Sequence, residues 1–377
     1  ATQPTTTCRP TLSARYNLLT NTSFAGAIAG APGTAPTGWV FDFNTGEITA
    51  VTPLGPDFAI QIATSATRLV FTQQLTAAPN VVYSHWIDVL ETTAITAINF
   101  IALTAPPSGA TMTYWFNGEL ITSSTVISSP GRLEMRMTVG GTGGIYYIRF
   151  GVGCSSNMTG VATIARPDVR VTNDGVGLPP YQRVVNANTY DTTGFPLYLK
   201  FDGVDDFLQT ASVDFSGTDK LFASAALRKL SDAAAGIVVE LSLVSNSNPG
   251  AFALLAPSGT NPTLGVYLRG ATTVITNIPS GIASPASRVL TGVFDLAAAI
   301  TQQARSRING QPSGVSTSSN AGGGVFGSYP LYVGKRGLNA STMFNGRLYS
   351  LLIRGAATPD ATIAKVERYL NSKARIY

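Results

Sequence analysis

The chain has 377 residues, of which 44% are hydrophobic and only 12% are charged. This composition supplies enough apolar side chains for full cores and excludes wholesale disorder, and the length predicts two domains. The formal net charge is +5, and such a modest positive field favours encounters with acidic partners such as anionic glycans. Scattered basic residues argue against a nucleic-acid-binding face and indicate solvated surface positions. The nearest approaches to a basic cluster are Arg228-Lys229, Arg305 with Arg307, and Lys335-Arg336.

Short runs rich in Val, Ile, Phe, Tyr and Thr recur along the first half, between clusters of Gly, Pro, Asn and Ser. This pattern predicts an all-β sandwich or barrel. The predicted strands are 58–63, 68–73, 81–91, 98–103, 112–120, 132–139 and 145–152. In one of them Leu133, Met135 and Met137 alternate with Arg and Glu, which is typical of a half-buried antiparallel strand. The glycine-rich stretch 140–144 is predicted to be a hairpin tip.

A segment rich in Gly, Pro, Asn and Asp separates the two halves of the chain. Residues 173–180 are dense in turn formers, so we predict a domain at 1–172, a linker at 173–196 and a second domain at 197–377. The second half repeats the strand pattern, with predicted strands at 197–201, 221–227, 237–244, 252–255, 264–268, 273–278, 289–294, 331–333 and 347–354.

One helix is predicted to close the chain. Thr358 suits the N-cap, Pro359 the first helical position, and Asp360 complements the positive end of the helix. An apolar stripe follows at helical spacing, made of Ile363, Val366 and Leu370 with Tyr369 beside it. We expect this helix to pack on the last sandwich and to seal an edge.

The two cysteines, Cys8 and Cys154, lack the spacing of zinc ribbons or thioredoxin-like motifs. They lie near opposite ends of the first predicted domain, so a disulfide between them is one alternative. If the protein folds in a reducing cytoplasm, two unpaired, buried thiols are expected instead. No window reaches the run of about 18 apolar residues needed to span a bilayer. Residues 1–7 carry no signal-peptide pattern.

Two motifs near the start resemble the opening of carbohydrate-binding-module jelly rolls, in the galactose-binding style common in phage structural proteins. They are Asn17-Leu18-Leu19 with Asn21 and Phe24, and Pro36-Thr37-Gly38-Trp39. In such domains the Trp caps one end of the core. The resemblance implies the same position for Trp39.

The segment 166–207 is similar to the junction, in phage virion proteins, between such a jelly roll and a concanavalin-A-like (laminin-G-like) domain. Its motifs are Arg166-Pro167-Asp168-Val169, Pro180-Tyr181-Gln182-Arg183-Val184 and Phe201-Asp202-Gly203-Val204-Asp205-Asp206. The run from Phe344 to Arg354 resembles the closing hairpin of that second domain, and the final helix matches too. The resemblance covers nearly the whole chain. It implies two tandem jelly-roll sandwiches of antiparallel strands with one C-terminal α-helix.

The same resemblance implies a structural protein of the phage virion, assembled in the host cytoplasm. We expect a tail-fibre or adhesin subunit that binds host-surface glycan, forms a homotrimer, contacts other virion proteins, and neither binds nucleic acid nor inserts into membranes. A head-fibre, decoration or neck protein without glycan binding is the alternative, and a capsule depolymerase is a third possibility. Residues 1–10 resemble a segment that follows another module, which suggests a missing N-terminal anchor; alternatively, Ala1 follows a removed initiator Met.

Catalytic chemistry finds little support in the sequence. His85 is the only histidine and shares one strand face with Tyr83 and Ile87, where a single hydrogen bond would account for it. A nucleophile-elbow motif of the Gly-x-Ser-x-Gly kind is missing from the sequence. We therefore expect no catalytic triad.

Glycan cleavage needs two carboxylates about 5–10 Å apart, and the sequence has no Glu-x-Asp-x-x-Glu spacing. The available glutamates are Glu47, Glu91, Glu119, Glu134, Glu240 and Glu367. Glu240 is the best single candidate, although an outward-facing position on an alternating strand explains it as well. We predict a protein that is not an enzyme, with no catalytic residue and no cofactor.

Binding residues remain candidates only. Asp202, Asp205 and Asp206 offer oxygen ligands for calcium, or bond their own turn backbone, so the metal question stays open. Sugar contacts would use exposed aromatic rings, but for each ring taken singly, core or interface packing explains the residue better. The aromatic candidates are Trp39, Trp86, Trp115 and Tyr114 in the first domain, and Tyr267 and Tyr329 in the second.

Overall fold

The computed structural model describes residues 9–44, 46–172, 178–244, 247–277, 281–315, 321–337 and 342–377, with the backbone alone at 66 and 273–277. The chain is all-β, every strand pairing is antiparallel, and two separate apolar cores are present, as predicted. Among the described residues, one compact unit contains residues 15–172 and 179–195, and the other contains residues 9–14, 178 and 196–377. We call them the first and the second unit.

The first unit consists of a seven-stranded sheet facing a four-stranded sheet, with a small two-stranded ribbon. After β1 (Thr11–Ser13), which belongs to the second unit, its elements are β2 (Val40–Asn44), β3 (Glu47–Leu54), β4 (Asp57–Thr67), β5 (Leu69–Ala77), β6 (Val82–Thr92), β7 (Ile95–Thr96), α1 (Ala97–Phe100), β8 (Ile101–Thr104), β9 (Thr111–Phe116), β10 (Glu119–Ile121), β11 (Val126–Ile127), β12 (Gly131–Thr138), β13 (Gly144–Val152) and β14 (Met158–Val171). The strand orders are β10-β9-β12-β6-β14-β4-β3, β2-β5-β13-β8 and β11-β7.

Alternation of side chains explains the larger sheet. Leu133, Met135 and Met137 of β12 are fully buried in the first core, so the residues between them point to the opposite face. The glycine-rich stretch 140–144 is a connection between sheets rather than the predicted hairpin tip. It links β12 to β13, and β13 pairs with β5 and β8 in the smaller sheet.

The predicted strand 112–120 is a hairpin, β9 and β10, closed by Asn117 and Gly118 with φ of 51° and 89°. Asn-Gly favours this turn because both residues tolerate positive φ. The predicted strand 98–103 begins instead in the helical turn α1 and continues as β8.

The predicted linker 173–196 is only partly a linker. Residues 173–177 lie outside the described residues, whereas residues 179–195 make their contacts within the first unit. Gln182 is buried there, and its Oε1 accepts hydrogen bonds from the backbone N–H groups of Tyr16 and Asn17 at 2.7 and 2.9 Å. The chain thus returns to the first sandwich before it enters the second.

The second unit is a sandwich of a seven-stranded and a six-stranded sheet. Its further elements are β15 (Tyr198–Asp202), β16 (Leu208–Asp214), β17 (Lys220–Lys229), β18 (Ile237–Leu241), β19 (Ala251–Leu255), β20 (Gly265–Arg269), β21 (Thr273–Asn277), β22 (Ala286–Asp295), β23 (Ala304–Ile308), β24 (Gln311–Val315), β25 (Ser328–Val333), β26 (Asn345–Arg354) and α2 (Asp360–Ala374). The strand orders are β1-β15-β26-β17-β22-β23-β24 and β16-β25-β18-β19-β20-β21. Because β26 pairs with β15 and β17, the expected closing hairpin is wrong.

Two basic residues at the end of β17 are fully buried, which contradicts their predicted solvated positions. The Nζ of Lys229 donates to the carbonyl oxygen of Ile282 at 2.6 Å and pairs with the carboxylate of Asp232. Arg228 donates from Nη1 to Ser287 Oγ at 3.3 Å. Both positions are buried because β17 is a central strand with neighbours on either side.

The closing helix α2 forms as predicted, with a shifted start. Pro359 is the N-cap and the Thr358 hydroxyl donates to the Ala356 carbonyl, so Thr358 does not cap the helix. The buried stripe packs on the outer face of β17, β22 and β26, so the helix covers a sheet face and not an edge. Tyr369 is 56% exposed, and Glu367 is buried in its place. No helix in the described ranges is long and apolar enough to cross a membrane.

Candidate functional site

The outer face of the larger sheet in the first unit carries a cluster of tryptophans and arginines. Strand register places Trp115, Glu134, Trp86 and Asp168 in one row across β9, β12, β6 and β14. The neighbouring row contains Thr113, Arg136, Ser84 and Arg170. These side chains point away from the core because their strand neighbours fill it. We call this surface the Trp–Arg face and define it by Trp86, Trp115, Arg132, Arg136, Arg166 and Arg170.

Each indole of the Trp–Arg face has a guanidinium group stacked on it. The guanidinium carbon of Arg136 lies 4.1 Å from the ring centre of Trp115, and that of Arg170 lies 4.9 Å from the ring centre of Trp86. Both indoles are partly exposed. Cation–π stacking of this kind fixes the planes of ring and guanidinium together, so the surface is pre-organised.

Carboxylates hold the arginines in place. Arg132 Nε donates to Asp88 at 2.8 Å, and Arg136 donates from Nε and Nη2 to Glu134 at 2.5 and 3.3 Å. Arg166 stands at a β-bulge with φ of 52°. Its guanidinium nitrogens lie 3.6 Å from Asp57 and 3.7 Å from Asp88, which are ion-pair distances and too long for hydrogen bonds.

Residues 179–195 seal one side of the Trp–Arg face. The carbonyl of Pro179 accepts a hydrogen bond from Arg170 Nη1 at 3.1 Å, and the backbone N–H of Gln182 donates to Asp168 at 3.0 Å. Burial raises the pKa of Asp168, while its partners Arg170 and Gln182 oppose that shift. Trp115 lies on the other side, where its neighbour across the strands is the exposed Leu120. Residues 179–195 therefore bury the Asp168–Arg170 pair, while Trp115, Arg136 and Arg166 stay accessible.

His85 belongs to the core of the first unit and not to a surface site. It is fully buried, with Nδ1 3.1 Å from the Met135 carbonyl oxygen and Nε2 3.0 Å from the Tyr146 hydroxyl. Sequence predicted one hydrogen bond, and the structure supplies two. Burial lowers the pKa of His85 to about 4, so the ring is neutral at pH 7. Both ring nitrogens are within hydrogen-bonding distance of buried core residues, and neither faces a surface site.

Glu240 points away from the second core, as its strand pattern predicts, but it is 1% exposed and not a surface residue. The chain after β25 crosses over it, and the backbone N–H of Gly337 donates to Oε1 at 3.1 Å. Ser242 also donates to Oε1, at 2.5 Å, and Arg336 Nε lies 3.5 Å from Oε2. Burial raises the pKa of Glu240 against these contacts. The three neighbours include no carboxylate, so the arrangement is that of an anchor for the crossing segment.

Asp202, Asp205 and Asp206 do come together, with ligand oxygens within 4.8 Å of one another. Asp202 Oδ1 accepts from the N–H groups of Val204 and Asp205, and Asp206 Oδ2 accepts from the N–H of Asp202. Burial and the two neighbouring carboxylates raise the pKa of Asp206. These three residues could hold a divalent cation, while the turn hydrogen bonds also account for their arrangement.

The six aromatic candidates separate clearly. Trp39, Tyr114 and Tyr267 are buried, and the Trp39 indole N–H donates to the Asn21 carbonyl at 3.0 Å. The hydroxyl of Tyr329 donates to the Pro249 carbonyl. Trp86 and Trp115 remain as candidates for sugar contact, because both indoles are partly exposed on the outer face of a sheet and have arginines stacked on them. The arginines beside them were missed, although Arg132, Glu134 and Arg136 stand on the polar side of a predicted strand.

Cys154 is buried and has no disulfide partner among the described residues; its Sγ lies 3.1 Å from the Phe100 carbonyl oxygen. Cys8 lies outside the described residues, so the question of pairing stays open.

The sequence matches no known protein-family model and no curated protein. Among solved structures, a heptameric SAP-like pentraxin from Limulus polyphemus is 14% identical and covers 45% of this chain and 80% of its own, with a TM-score of 0.36. The CBM40 of a Ruminococcus gnavus IT-sialidase, bound to α2,3-sialyllactose, is 14% identical over 42% of this chain and 97% of its own, at a TM-score of 0.33. Domains LG4-5 of the mouse laminin α1 chain are 12% identical over 76% of this chain and 85% of their own, at a TM-score of 0.29.

Proposed function

We propose that this chain is a structural protein of a bacteriophage virion, a tail-fibre or adhesin subunit whose first unit binds host-surface glycan through the Trp–Arg face. The observation that carries glycan binding is the pair of partly exposed indoles, Trp86 and Trp115, fixed by guanidinium groups on a four-strand surface. A rigid aromatic ring offers a large apolar contact at little cost in conformational entropy, and nearby charged groups fix the orientation of a polar ligand.

The virion assignment is supported by the sequence motifs at 17–39 and 166–206, which resemble phage jelly-roll and laminin-G-like modules. The second support is the architecture. Each of the two β-sandwiches has its own core and is by itself a scaffold on which loops and sheet faces present recognition surfaces. Because one fold hosts many functions, the location on the particle has to be measured. A density map of the intact phage, or labelling by an antibody against this chain, distinguishes tail fibre from head fibre, decoration or neck.

Glycan binding is tested with Trp115→Ala on an array of bacterial surface polysaccharides. The expected result is binding by the unaltered protein and a loss of about tenfold or more in the variant, since removal of a central aromatic contact costs at least about 1.4 kcal/mol. Tyr369→Ala is the matched control, because it removes an exposed aromatic ring from α2 of the second unit. Equal binding by both variants would overturn the assignment to this face. Absence of any glycan binding would favour the purely structural alternative.

Hydrolysis is not part of the proposal. The Glu240 carboxylate accepts hydrogen bonds from Ser242 and Gly337 and pairs with Arg336. Glycan cleavage needs a second carboxylate across the scissile bond, and none of these three neighbours supplies one. Reducing ends released from the bound polysaccharide, and lost in Glu240→Gln, would instead reveal a depolymerase.

A further inference from the structure

We infer that the Trp–Arg face selects acidic glycans, and that the guanidinium groups of the face bind the carboxylate or sulfate groups of the glycan. The inference rests on the proposed glycan binding by the same face and goes beyond it in naming the chemistry of the ligand.

The first argument is the order of the charges. In the exposed ion pairs of the Trp–Arg face the arginine lies nearer to solvent than its carboxylate: the side chains of Arg136 and Glu134 are 38% and 12% exposed, and those of Arg166 and Asp57 are 37% and 4% exposed. Arg132 and Asp88 follow the same order. The carboxylates therefore form a lower layer, and the layer that meets a ligand consists of guanidinium groups.

The second argument is hydrogen-bonding capacity. A guanidinium group carries five N–H donors and no acceptor. Arg136 uses its Nε and one Nη2 donor on Glu134, and Arg166 holds its carboxylates only at ion-pair distance. A surface of donors pairs best with groups that only accept, and planar carboxylates and sulfates accept two parallel N–H bonds from one arginine. Sugar hydroxyls both donate and accept, so a neutral glycan would leave its donors without partners here.

The third argument is spacing. Arg132 and Arg136 are four residues apart on β12, which places their backbones about 13 Å apart at roughly 3.3 Å per residue. Trp86 and Trp115 lie on the two strands that flank β12, β6 and β9, in the row between those of the two arginines. The two guanidinium groups are thus separated along the face, with the indoles in the row between them. This spacing suits a polysaccharide whose acidic groups would pair with the arginines while the sugar rings between those groups stack on the indoles.

The test compares immobilised dextran, carboxymethyl-dextran and dextran sulfate, which share one backbone and differ in charge. Binding is measured by biolayer interferometry between roughly 0.05 and 0.5 M NaCl, a range over which exposed charges become strongly screened. Arg136→Gln and Arg166→Gln each remove one exposed cation of the face. Arg368→Gln removes an exposed cation from α2 of the second unit and is the matched control.

We expect the two charged polymers to bind more tightly than dextran, with affinity falling as salt rises. Each face variant should weaken that binding roughly five- to tenfold, and Arg368→Gln should leave it almost unchanged. The stronger of the two charged polymers then identifies carboxylate or sulfate as the preferred group.

Equal weakening by all three variants would attribute the attraction to diffuse net charge and overturn the inference. So would equal binding to dextran, or no binding to either charged polymer at low salt. The proposed glycan binding is decided separately: it stands if Trp115→Ala weakens binding to a surface polysaccharide about tenfold or more, whether that polysaccharide is neutral or acidic, and it fails if the variant has no effect on any glycan.

Discussion

Three buried ionisable side chains, His85, Lys229 and Glu240, are each held by a few fixed partners. His85 has Met135 and Tyr146, Lys229 has Asp232 and the Ile282 carbonyl, and Glu240 has the contacts described above. An unpaired buried charge is costly, so each partner set is a strong constraint on the local packing. We therefore expect these contacts to favour one local packing arrangement, because loss of one partner would leave the other buried and unpaired.

His85 is expected to make the first unit sensitive to mild acid. Its pKa is about 4 in the folded protein and about 6.5 when the chain is unfolded. Since the folded state favours the neutral ring, the stabilising contribution is fully present above pH 6.5 and is lost as the pH falls towards 4. The free energy of unfolding should fall by up to about 3 kcal/mol over this window. Urea unfolding followed by tryptophan fluorescence measures it, because all three tryptophans lie in the first unit.

Carboxylates also begin to titrate in this range, so a variant without an ionisable ring provides the control. His85→Gln should be less stable than the unaltered protein at pH 7, yet its stability should change much less between pH 6.5 and pH 4.5. A variant with the same acid sensitivity as the unaltered protein would show that another group is responsible.

At the scale of single elements, helix α2 is joined to the second sandwich by both apolar contacts and one buried ion pair. Glu367 is 1% exposed and accepts two hydrogen bonds from Arg307 of β23, at 2.8 and 2.9 Å. Ile363 and Leu370 fill the contact with β17 and β22 on either side. The helix thus covers an outer sheet face that would otherwise expose Phe222 and Val289.

Glu367→Gln is expected to destabilise the second unit by about 3 kcal/mol, because it leaves the largely buried Arg307 charge without its carboxylate. Urea unfolding followed by circular dichroism gives the change in free energy. Arg368→Gln alters the adjacent, exposed position and should stay within about 0.5 kcal/mol of the unaltered protein. If the two variants were equally stable, the ion pair would have no role in holding the helix.

The strands that sequence predicts well are those with one buried and one polar face, such as β6 and β12, because their period of two is visible in the residues. The long strand β14 was missed as a strand. Its alternation is interrupted at Arg166 and Pro167, where the register shifts at a bulge. A bulge of this kind is a property of the pairing with β6, and one strand alone does not reveal it.

Candidate site residues are predicted less well, since burial depends on what crosses a strand. The alternation around Glu240 gives the correct face, yet the crossing segment at Arg336 and Gly337 buries it. Likewise, Trp86 and Trp115 could be named from the sequence, but not the guanidinium groups that stack on them. That arrangement requires the register of four strands, which brings residues as distant in sequence as Ser84 and Arg170 onto one face.

For the whole molecule, surface composition is the feature that bears on assembly. Charged residues make up 12% of the chain, about half of the usual share. Several large apolar side chains are exposed in both units, among them Leu12, Val40, Leu120 and Val204. A surface with few charges and exposed apolar groups is suited to subunit interfaces, in which charged residues are depleted.

We therefore expect a homotrimer, because closed cyclic symmetry satisfies identical interfaces and fibres commonly use a three-fold axis. Multi-angle light scattering at micromolar concentration should give three times the chain mass of 39.3 kDa. The exposed Leu120 lies beside Trp115, so Leu120→Lys tests whether the Trp–Arg face of the first unit also forms the interface. A trimer that persists in this variant leaves the Trp–Arg face open to ligand. A mass of one chain for the unaltered protein would contradict the expected assembly.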